Sequence, residues 1–378
     1  MKTIQSIFLF ACIIILCSCS GSRGGDATTD GIKVENLYAK GFEITRHKDF
    51  TVVSVADPWD TTKVLQNYIL VPAGNPLPDN LPKGSVIRTP IKNAIMYTVV
   101  HTAVLEQLGA LDAVKGICES QYLTSAKAKE RVAEGKITDC GMATSPNVEK
   151  IMEIGGEIII ASPFEHGGYG QVEKLGIPIF ESADYMETHP LGRVEWIRVY
   201  GLLSGREAQA DSLINATAES YNSLKRLAAG ATERPRLMVE RKYGSSWFIP
   251  GGASYMAQMY NDAGADYIFK DNQETGSVPY SFESVYERGL DADIWVLKYT
   301  MDRPMTYSDL KSEYLPYSDF APFKNRRIYC SNTSESAYYE NISIHPDRIL
   351  ADLVHIFHPE LMPDHKPLCY SAMQEQGF

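Results

Sequence analysis

The chain is 378 residues long with a formal net charge of −11, and 44% of its residues are hydrophobic and 22% charged. This balance is typical of a soluble globular protein. The acidic charge, with no basic cluster in the sequence, argues against nucleic acid as a partner. The acidic charge of the whole protein also argues against electrostatic capture of a highly anionic ligand, although a local patch of basic residues could override this. So long a chain exceeds one compact core and predicts two lobes.

The amino-terminal segment predicts export. Lys2 supplies a positive start, and the apolar run at 7–16 is far shorter than the ~20 residues that span a bilayer as a helix. Such a run is typical of a signal peptide. The sequence LCSC at 16–19 resembles a bacterial lipobox, which implies cleavage before Cys19 and a lipid on Cys19; an ordinary secretory signal is the alternative. We therefore expect a signal peptide at 1–18, a flexible tether at 19–31, and a protein lipid-anchored to the membrane in the periplasm.

Four cysteines follow Cys19 in the chain: Cys118, Cys140, Cys330 and Cys369. In an oxidising compartment they could pair in three ways. Cys118 and Cys140 are close in sequence and near two predicted strands, which favours that pair. The sequence has no CxxC spacing, which argues against a metal site built from these residues.

Strands and helices alternate through the first half of the chain. Residues 40–72 predict strands, because β-branched and aromatic residues alternate there with polar ones. A loop rich in proline and glycine follows at 72–84. Beyond it, a helix at 97–108, a strand ending at Cys118, a helix at 147–154 and a buried strand at 157–161 predict parallel strands joined by crossover helices.

A long helical region separates this half from a second one of the same kind. Helices are predicted at 191–203 and 206–229, and the second would be about 36 Å long, enough to connect two lobes. After Pro235, strands at 236–240, 293–298 and 327–330 alternate with helices at 253–263, 282–288 and 349–357. We expect an amino-terminal lobe at 32–190, connecting helices at 191–230 and a carboxy-terminal lobe at 231–378.

Several segments together resemble class III periplasmic solute-binding proteins, the family that carries ferric siderophores, haem and cobalamin to ABC importers. In the first half they are PNVEKI with GGEIIIA (146–161) and IRVYGLLSGREAQADSL (197–213). In the second half they are GGASYMAQMYNDAGADYIF (251–269), SFESV (281–285), DADIWVL (291–297) and ILADLVHIFHPEL (349–361). The resemblance runs from about Gly84 to Leu361. The strands at 40–72 have no counterpart in it.

This resemblance implies an α/β fold of two Rossmann-like lobes with central, mostly parallel sheets joined by one long α-helix. The ligand would lie in the cleft between the lobes, and the protein would be a monomer without a cofactor or catalytic activity. Its implied partners are an ABC permease dimer and a metal chelate, either a ferric siderophore, a corrinoid or haem.

Two glutamates match the positions by which the family docks on the permease. They are Glu149 in PNVEKI and Glu283 in SFESV, and the resemblance implies that each pairs with arginines of the permease dimer. Both fall in the first turn of a predicted helix, where the helix dipole favours a carboxylate. Glutamate is common in first turns for this reason alone, which is the alternative interpretation.

Aromatic and polar residues at predicted strand ends and loops are candidates for binding the ligand. They are Tyr97, Tyr122, Phe164, His166 and Tyr169 in the first lobe, and Arg241, Tyr243, Trp247, Phe248, Tyr280 and Tyr299 in the second. Arg241 is expected to meet an anionic oxygen and Trp247 to stack on a ring. His166 is the candidate to contact a ligand metal, and it or a tyrosine would be the axial ligand of haem. Packing in the cores or exposure to water is the alternative for these residues.

Two other functions fit the sequence. One is an exported α/β enzyme, although the chain has no GxSxG, HExxH or phosphate-binding glycine loop. The other is a surface lipoprotein that captures chelates and passes them to an outer-membrane receptor. Loss of uptake with unchanged ligand affinity, on mutation of Glu149 and Glu283, would distinguish the importer from both.

Overall fold

The computed structural model describes residues 31–375. The predicted signal peptide, Cys19 and nearly all of the predicted tether lie outside the described residues. Between residues 31 and 375, no helix is both long enough and apolar enough to cross a membrane.

The described chain begins with a five-stranded sheet, which contains the strands predicted between 40 and 72. Its strands are β1 (Ile32–Val34), β2 (Phe42–Arg46), β3 (Thr51–Ala56), β4 (Val64–Pro72) and β5 (Ser85–Thr89), hydrogen-bonded in that order. Only the β4–β5 pair is parallel. Val53 and Val55 of β3 point to the buried face, as the alternating sequence predicts.

The next sheet is parallel and belongs to the first lobe. Its elements are β6 (Ala94–Met96), α1 (Val99–Gln107), β7 (Val114–Ile117), α2 (Ala126–Ala133), β8 (Thr138–Asp139), the hairpin strands β9 (Gly141–Met142) and β10 (Ser145–Pro146), α3 (Val148–Ile154), β11 (Ile158–Ala161) and β12 (Ile179–Glu181). The strand order is β12-β11-β6-β7-β8. All four residues of β11 are buried, as in strands covered on both faces. Helix α3 begins at the Asn147 cap, whose side chain accepts from Lys150 N, and ends at the left-handed Gly155.

Three helices connect this sheet to the next one. They are α4 (Pro190–Glu195), α5 (Ile197–Ser204) and α6 (Glu207–Ala228), and α6 is the long helix predicted from the sequence. The predicted break occurs at Gly205, whose φ of +67° ends α5 in the left-handed region.

The second lobe is built on a mixed sheet of order β16-β13-β18-β19-β20, in which only β20 is antiparallel. Its elements, with the small antiparallel sheet β14-β15-β17, are β13 (Arg236–Val239), β14 (Lys242–Tyr243), β15 (Ser246–Pro250), α7 (Tyr255–Asp262), β16 (Asp266–Tyr267), β17 (Ser277–Tyr280), α8 (Phe282–Gly289), β18 (Ile294–Tyr299), α9 (Tyr307–Glu313), α10 (Ala321–Lys324), β19 (Ile328–Asn332), α11 (Tyr338–Ile344), α12 (Pro346–Phe357) and β20 (Ser371–Ala372). The prediction missed the small sheet and helices α2, α9, α10 and α11.

The two lobes touch each other beside the connecting helices. Helix α11 of the second lobe packs against α1 of the first lobe and against α4. The buried Arg193 of α4 donates through Nη2 to Asp184 Oδ2 at 3.0 Å and to Ser343 Oγ at 2.6 Å. These contacts hold the lobes together through a polar network as well as through the chain.

The favoured disulfide between Cys118 and Cys140 is wrong for this structure, in which all four described cysteines are free and buried. Cys118 and Cys140 follow the neighbouring parallel strands β7 and β8 and pack in one apolar cluster. The Cys140 thiol donates to the carbonyl oxygen of Thr138 at 3.6 Å. Burial raises the pKa of the Cys118 thiol to about 12, which keeps it protonated.

Candidate functional site

A cavity of about 630 Å³ lies at the carboxyl ends of the parallel strands of the first lobe. Tyr97 and Thr98 directly follow β6, and Ser162 directly follows β11. Glu119 lies two residues beyond β7, and the β9–β10 hairpin with the loop after β11 completes the wall. The lining residues are Tyr97, Thr98, Glu119, Ala143, Thr144, Ser145, Pro146, Val148, Glu149, Ser162, Phe164, Gly168, Tyr169, Gly170, Gln171 and Val172.

The strand order explains why the cavity is here. After β6 the chain adds β7 and β8 on one side of the sheet, then crosses to add β11 and β12 on the other. The loops that leave β6 and β11 therefore diverge and open a crevice between them. Ligands of open α/β sheets bind at such a switch point, outside the carboxyl ends of the strands.

Backbone strain also concentrates at these strand ends. Five non-glycine residues of the described chain have a positive φ. Four of them follow strands: Glu119 (φ 59°) after β7, His166 (φ 56°) after β11, Glu240 (φ 60°) after β13 and Ala337 (φ 48°) after β19. The fifth, Arg326 (φ 58°), precedes β19. Left-handed backbone is costly for residues with a Cβ and clusters at functional sites. Its position after strands of both lobes points to the cleft between them.

Three of the predicted first-lobe residues meet in the cavity. The Tyr97 and Tyr169 rings pack edge to face, with centroids 5.9 Å apart. The Tyr169 hydroxyl donates to Glu181 Oε1 at 3.1 Å, and burial raises the pKa of both tyrosines. Phe164 is 70% exposed at the mouth of the cavity. The cavity therefore has an aromatic wall with a free phenyl ring at its rim.

The other two predicted first-lobe residues do not line this cavity. Tyr122 ends a short 3₁₀ turn and is exposed. The His166 side chain is 92% exposed, and its Nε2 lies 3.8 Å from Glu165 Oε1. As the structure stands, neither side chain is held in place to bind a ligand.

Trp247 requires a correction. The prediction that it stacks on a ligand is wrong for this structure, because its side chain is 0% exposed. Its indole Nε1 donates to the carbonyl oxygen of Val239 at 3.0 Å, and its ring packs against Trp295, Tyr317 and Phe320. Trp247 is a core residue of the second lobe.

The remaining second-lobe candidates lie apart from one another. Arg241 Nη1 donates to both carboxylate oxygens of Glu313, each at 2.6 Å. Tyr243, 82% exposed, and the exposed Phe248 lie on the β14–β15 hairpin. The Tyr280 hydroxyl accepts from Asn272 Nδ2 at 2.6 Å. Tyr299 is buried beside a separate cavity of about 250 Å³ next to β19 and β20.

Sequence reasoning missed Glu119, Ser162 and the β9–β10 hairpin. Ser162 directly follows the buried run EIIIA, so its position at the strand end could have been read from the sequence. Glu119 depends on a left-handed backbone whose N–H donates to the carbonyl oxygen of Gly141 at 2.7 Å. No local sequence signal indicates that conformation at a glutamate.

The two predicted docking glutamates are both exposed in the first turns of their helices. Glu149 follows the Asn147 cap of α3 and also lines the rim of the cavity. Glu283 follows the Ser281 cap of α8. Hydrogen bonds from its own backbone N–H and from the Ser281 hydroxyl lower the pKa of Glu283. That carboxylate therefore stays ionised below neutral pH.

Comparison with known proteins identifies the family. The sequence profile described as "Periplasmic binding protein" matches residues 96–331. The chain belongs to this family, and its fold is the two-lobed α/β fold of the class III periplasmic binding proteins. Proteins of this family bind solutes in the periplasm and work with ABC permeases.

Individual proteins resemble this chain in sequence or in structure. An uncharacterized lipoprotein of Methanocaldococcus jannaschii is 29% identical over 320 residues, covering 80% of this chain and 74% of that protein. Staphylococcus aureus IsdE, solved in complex with heme, superposes with a TM-score of 0.55 at 17% identity, covering 70% of this chain and 98% of IsdE. An ABC-type Fe³⁺-hydroxamate transport protein of Saccharomonospora viridis superposes with a TM-score of 0.57 at 17% identity, covering 71% of this chain and 94% of that protein. At these identities the two structures establish a common fold.

Proposed function

We propose that this protein is the substrate-binding component of an ABC importer for a metal chelate. It captures a ferric siderophore, a corrinoid or haem between its lobes (32–190 and 231–378, joined by 191–230) and delivers it to the permease without catalysis. The observation that carries the proposal is the cavity of about 630 Å³ at the strand switch point of the first lobe. Its volume lies within the range of small-molecule sites, about 300–1,000 Å³.

The side chains of the cleft support a chelate rather than a bare metal ion. Within residues 31–375, no three His, Cys, Asp or Glu side chains are grouped as a metal site requires. A metal cargo would therefore bring its own chelator. Phe164 of the first lobe and Tyr243 of the second expose aromatic rings that a flat or partly apolar chelate would cover.

Glu149 and Glu283 support the delivery step. Each lobe presents one exposed carboxylate in the first turn of a capped helix, which is a matched pair for a dimeric partner. Arginines of a permease dimer would bind these carboxylates in bidentate geometry. Such pairs set the orientation and speed of docking more than its affinity. Cys19 would carry the lipid that keeps the protein at the membrane, in keeping with the lipoprotein relative.

Calorimetric titration of residues 20–378 with cobalamin, cobinamide, haem and ferric siderophores tests the capture step. We expect one-to-one binding of at least one of these chelates at submicromolar concentration. Phe164→Ala should weaken that binding about tenfold, or about 1.4 kcal/mol. Met152→Ala is the matched control, because Met152 is an exposed apolar residue of α3 that does not line the cavity. Failure of every chelate to bind would overturn the proposal.

Reconstituted transport tests the docking step. Glu149→Arg and Glu283→Arg should each abolish stimulation of the permease ATPase. Glu283→Arg should do so at unchanged chelate affinity, because Glu283 lies outside the cavity that Glu149 helps to line. Glu153→Arg and Glu287→Arg make the same charge change at exposed positions later in the same two helices, and should retain stimulation. Equal losses in all four variants would show that net charge matters and that these positions do not.

A further inference from the structure

The charged residues that line the cavity of the first lobe are all acidic. Among its described lining residues, Glu119 and Glu149 are the only ionisable groups besides tyrosine, and none is lysine or arginine. The ammonium group of the adjacent Lys150 donates a hydrogen bond to the carbonyl oxygen of Asp139 at 2.8 Å. The wall therefore offers carboxylates, hydroxyls and aromatic rings, with no positive group.

The cations at the strand ends of the second lobe are already engaged. Arg241 is bound at both carboxylate oxygens of Glu313, and Lys298 of β18 pairs with Glu240. The Lys242 ammonium lies 4.1 Å from the centroid of the Tyr314 ring. An anionic ligand would have to break one of these contacts to gain a positive partner.

From this charge distribution we infer that the cleft selects chelates whose outer surface is uncharged or positive. Amide, hydroxamate and ammonium groups suit it, whereas carboxylates and catecholates do not. The inference rests on the proposed function and narrows its substrate class. A carboxylate that enters the cavity loses its water without gaining a cationic partner, and it is repelled by Glu119.

Two features make this selection a built-in property of the cleft. Glu119 is fixed at the strand end, because its backbone is left-handed and its N–H is bound to Gly141. The net charge of −11 acts in the same direction at long range, because it disfavours the approach of an anion. Rejecting a wrong ligand by like charge is a common source of specificity.

Charge-matched ligand pairs test the inference. Ferrioxamine B carries a pendant ammonium, and its N-succinyl derivative carries a carboxylate on the same ferric trihydroxamate. Cobinamide carries amides where cobyrinic acid carries carboxylates. If a pair of ligands binds, we expect its ammonium or amide member to bind at least tenfold more tightly than its carboxylate member. In a wider panel that includes haem and ferric enterobactin, we expect the tightest ligand to be uncharged or cationic. Tightest binding of an anionic chelate would overturn the inference and leave the proposed function standing. Failure of every chelate would overturn both.

Variants separate Glu119 from the charge of the whole protein. Glu119→Lys should make the protein bind the carboxylate member of a ligand pair more tightly than the ammonium or amide member. Glu153→Lys makes the same charge change on an exposed α3 residue outside the cavity and should leave the preference for the ammonium or amide member unchanged. Thr144→Lys adds a cation at an exposed lining position without altering the strained residue, so it serves if Glu119→Lys does not fold. An unchanged preference in folded Glu119→Lys or Thr144→Lys would contradict the inference.

Discussion

Glu195 attaches the segment between β1 and β2 to the connecting helices. Its carboxylate is 1% exposed and accepts hydrogen bonds from the three consecutive backbone N–H groups of residues 37–39, at 2.8, 2.7 and 2.6 Å. Those residues join β1 to β2, so this contact attaches the amino-terminal sheet to α4. We predict that Glu195→Gln destabilises the protein through this contact.

The magnitude follows from the number of bonds. A hydrogen bond to a charged group contributes about 1.5–3 kcal/mol, and a buried donor left without a partner costs about 1–3 kcal/mol. Glutamine keeps one acceptor oxygen but turns an NH₂ group toward N–H donors. At least one of the three bonds is lost, and the remaining bonds lose their charge. We expect the free energy of unfolding to fall by about 2–4 kcal/mol.

Urea unfolding, followed by the tryptophan fluorescence of the protein, measures this loss; the buried Trp196 beside the mutated residue contributes to the signal. Glu157→Gln is the matched control, because the Glu157 carboxylate accepts from the N–H groups of Lys92 and Asn93 but is exposed. Water can replace its bonds, so we expect a loss below about 1 kcal/mol. Equal losses in the two variants would refute the reasoning.

Three further predictions concern buried residues. Burial lowers the pKa of His101 to about 4 in the folded protein, whereas the pKa of this histidine in the unfolded chain is about 6.5. The unfolded chain is therefore protonated first as the pH falls, and the free energy of unfolding decreases between about pH 6.5 and pH 4. Between pH 7.5 and 5.5, the free energy of unfolding measured in urea should fall by about 1.4 kcal/mol less in His101→Asn than in the wild type. Equal decreases in the two proteins would contradict this. Trp247→Ala should cost about 3–5 kcal/mol in thermal unfolding and leave chelate affinity unchanged, whereas lost affinity at unchanged stability would restore a ligand role. Arg193→Met should cost about 3–5 kcal/mol by leaving Asp184 buried and unpaired, and the double variant with Asp184→Leu should recover much of that in urea unfolding; no recovery would argue against the pair.

The sequence predicts the parts of this fold whose signals are local. The buried run in β11 and the break at Gly205 both appear where the sequence indicates them. Helix α2 was missed because it buries only Ala128, so it has no apolar stripe to detect. Helix α11 was missed because its N-cap residue, Ala337, is left-handed and has no side-chain cap that the sequence could indicate.

The candidate site divides in the same way. Tyr97 and Phe164 line the cavity near the carboxyl ends of parallel strands. The buried run before Phe164 can be read from the sequence, whereas β6, the strand before Tyr97, was not predicted. Their contact with a ligand stays a prediction. Trp247 was misjudged because an aromatic residue in a short strand looks the same in sequence whether it faces a ligand or a core. Only its contacts with Trp295 and Phe320, far along the chain, distinguish the two.

The contacts between the lobes bear on how a ligand would enter and leave. Arg193 of α4 binds Asp184, which precedes the connecting helices, and Ser343, which lies in the second lobe. Thr124 of the first lobe donates to Glu340 of α11 at 2.6 Å. Wide opening would break these bonds and leave buried charge without a partner, at a cost of about 3–5 kcal/mol for the ion pair alone. We therefore expect small movements of the lobes and a cavity that is largely preformed. Release would then require work from outside, and we propose that a permease supplies it by binding the exposed pair Glu149 and Glu283, one on each lobe.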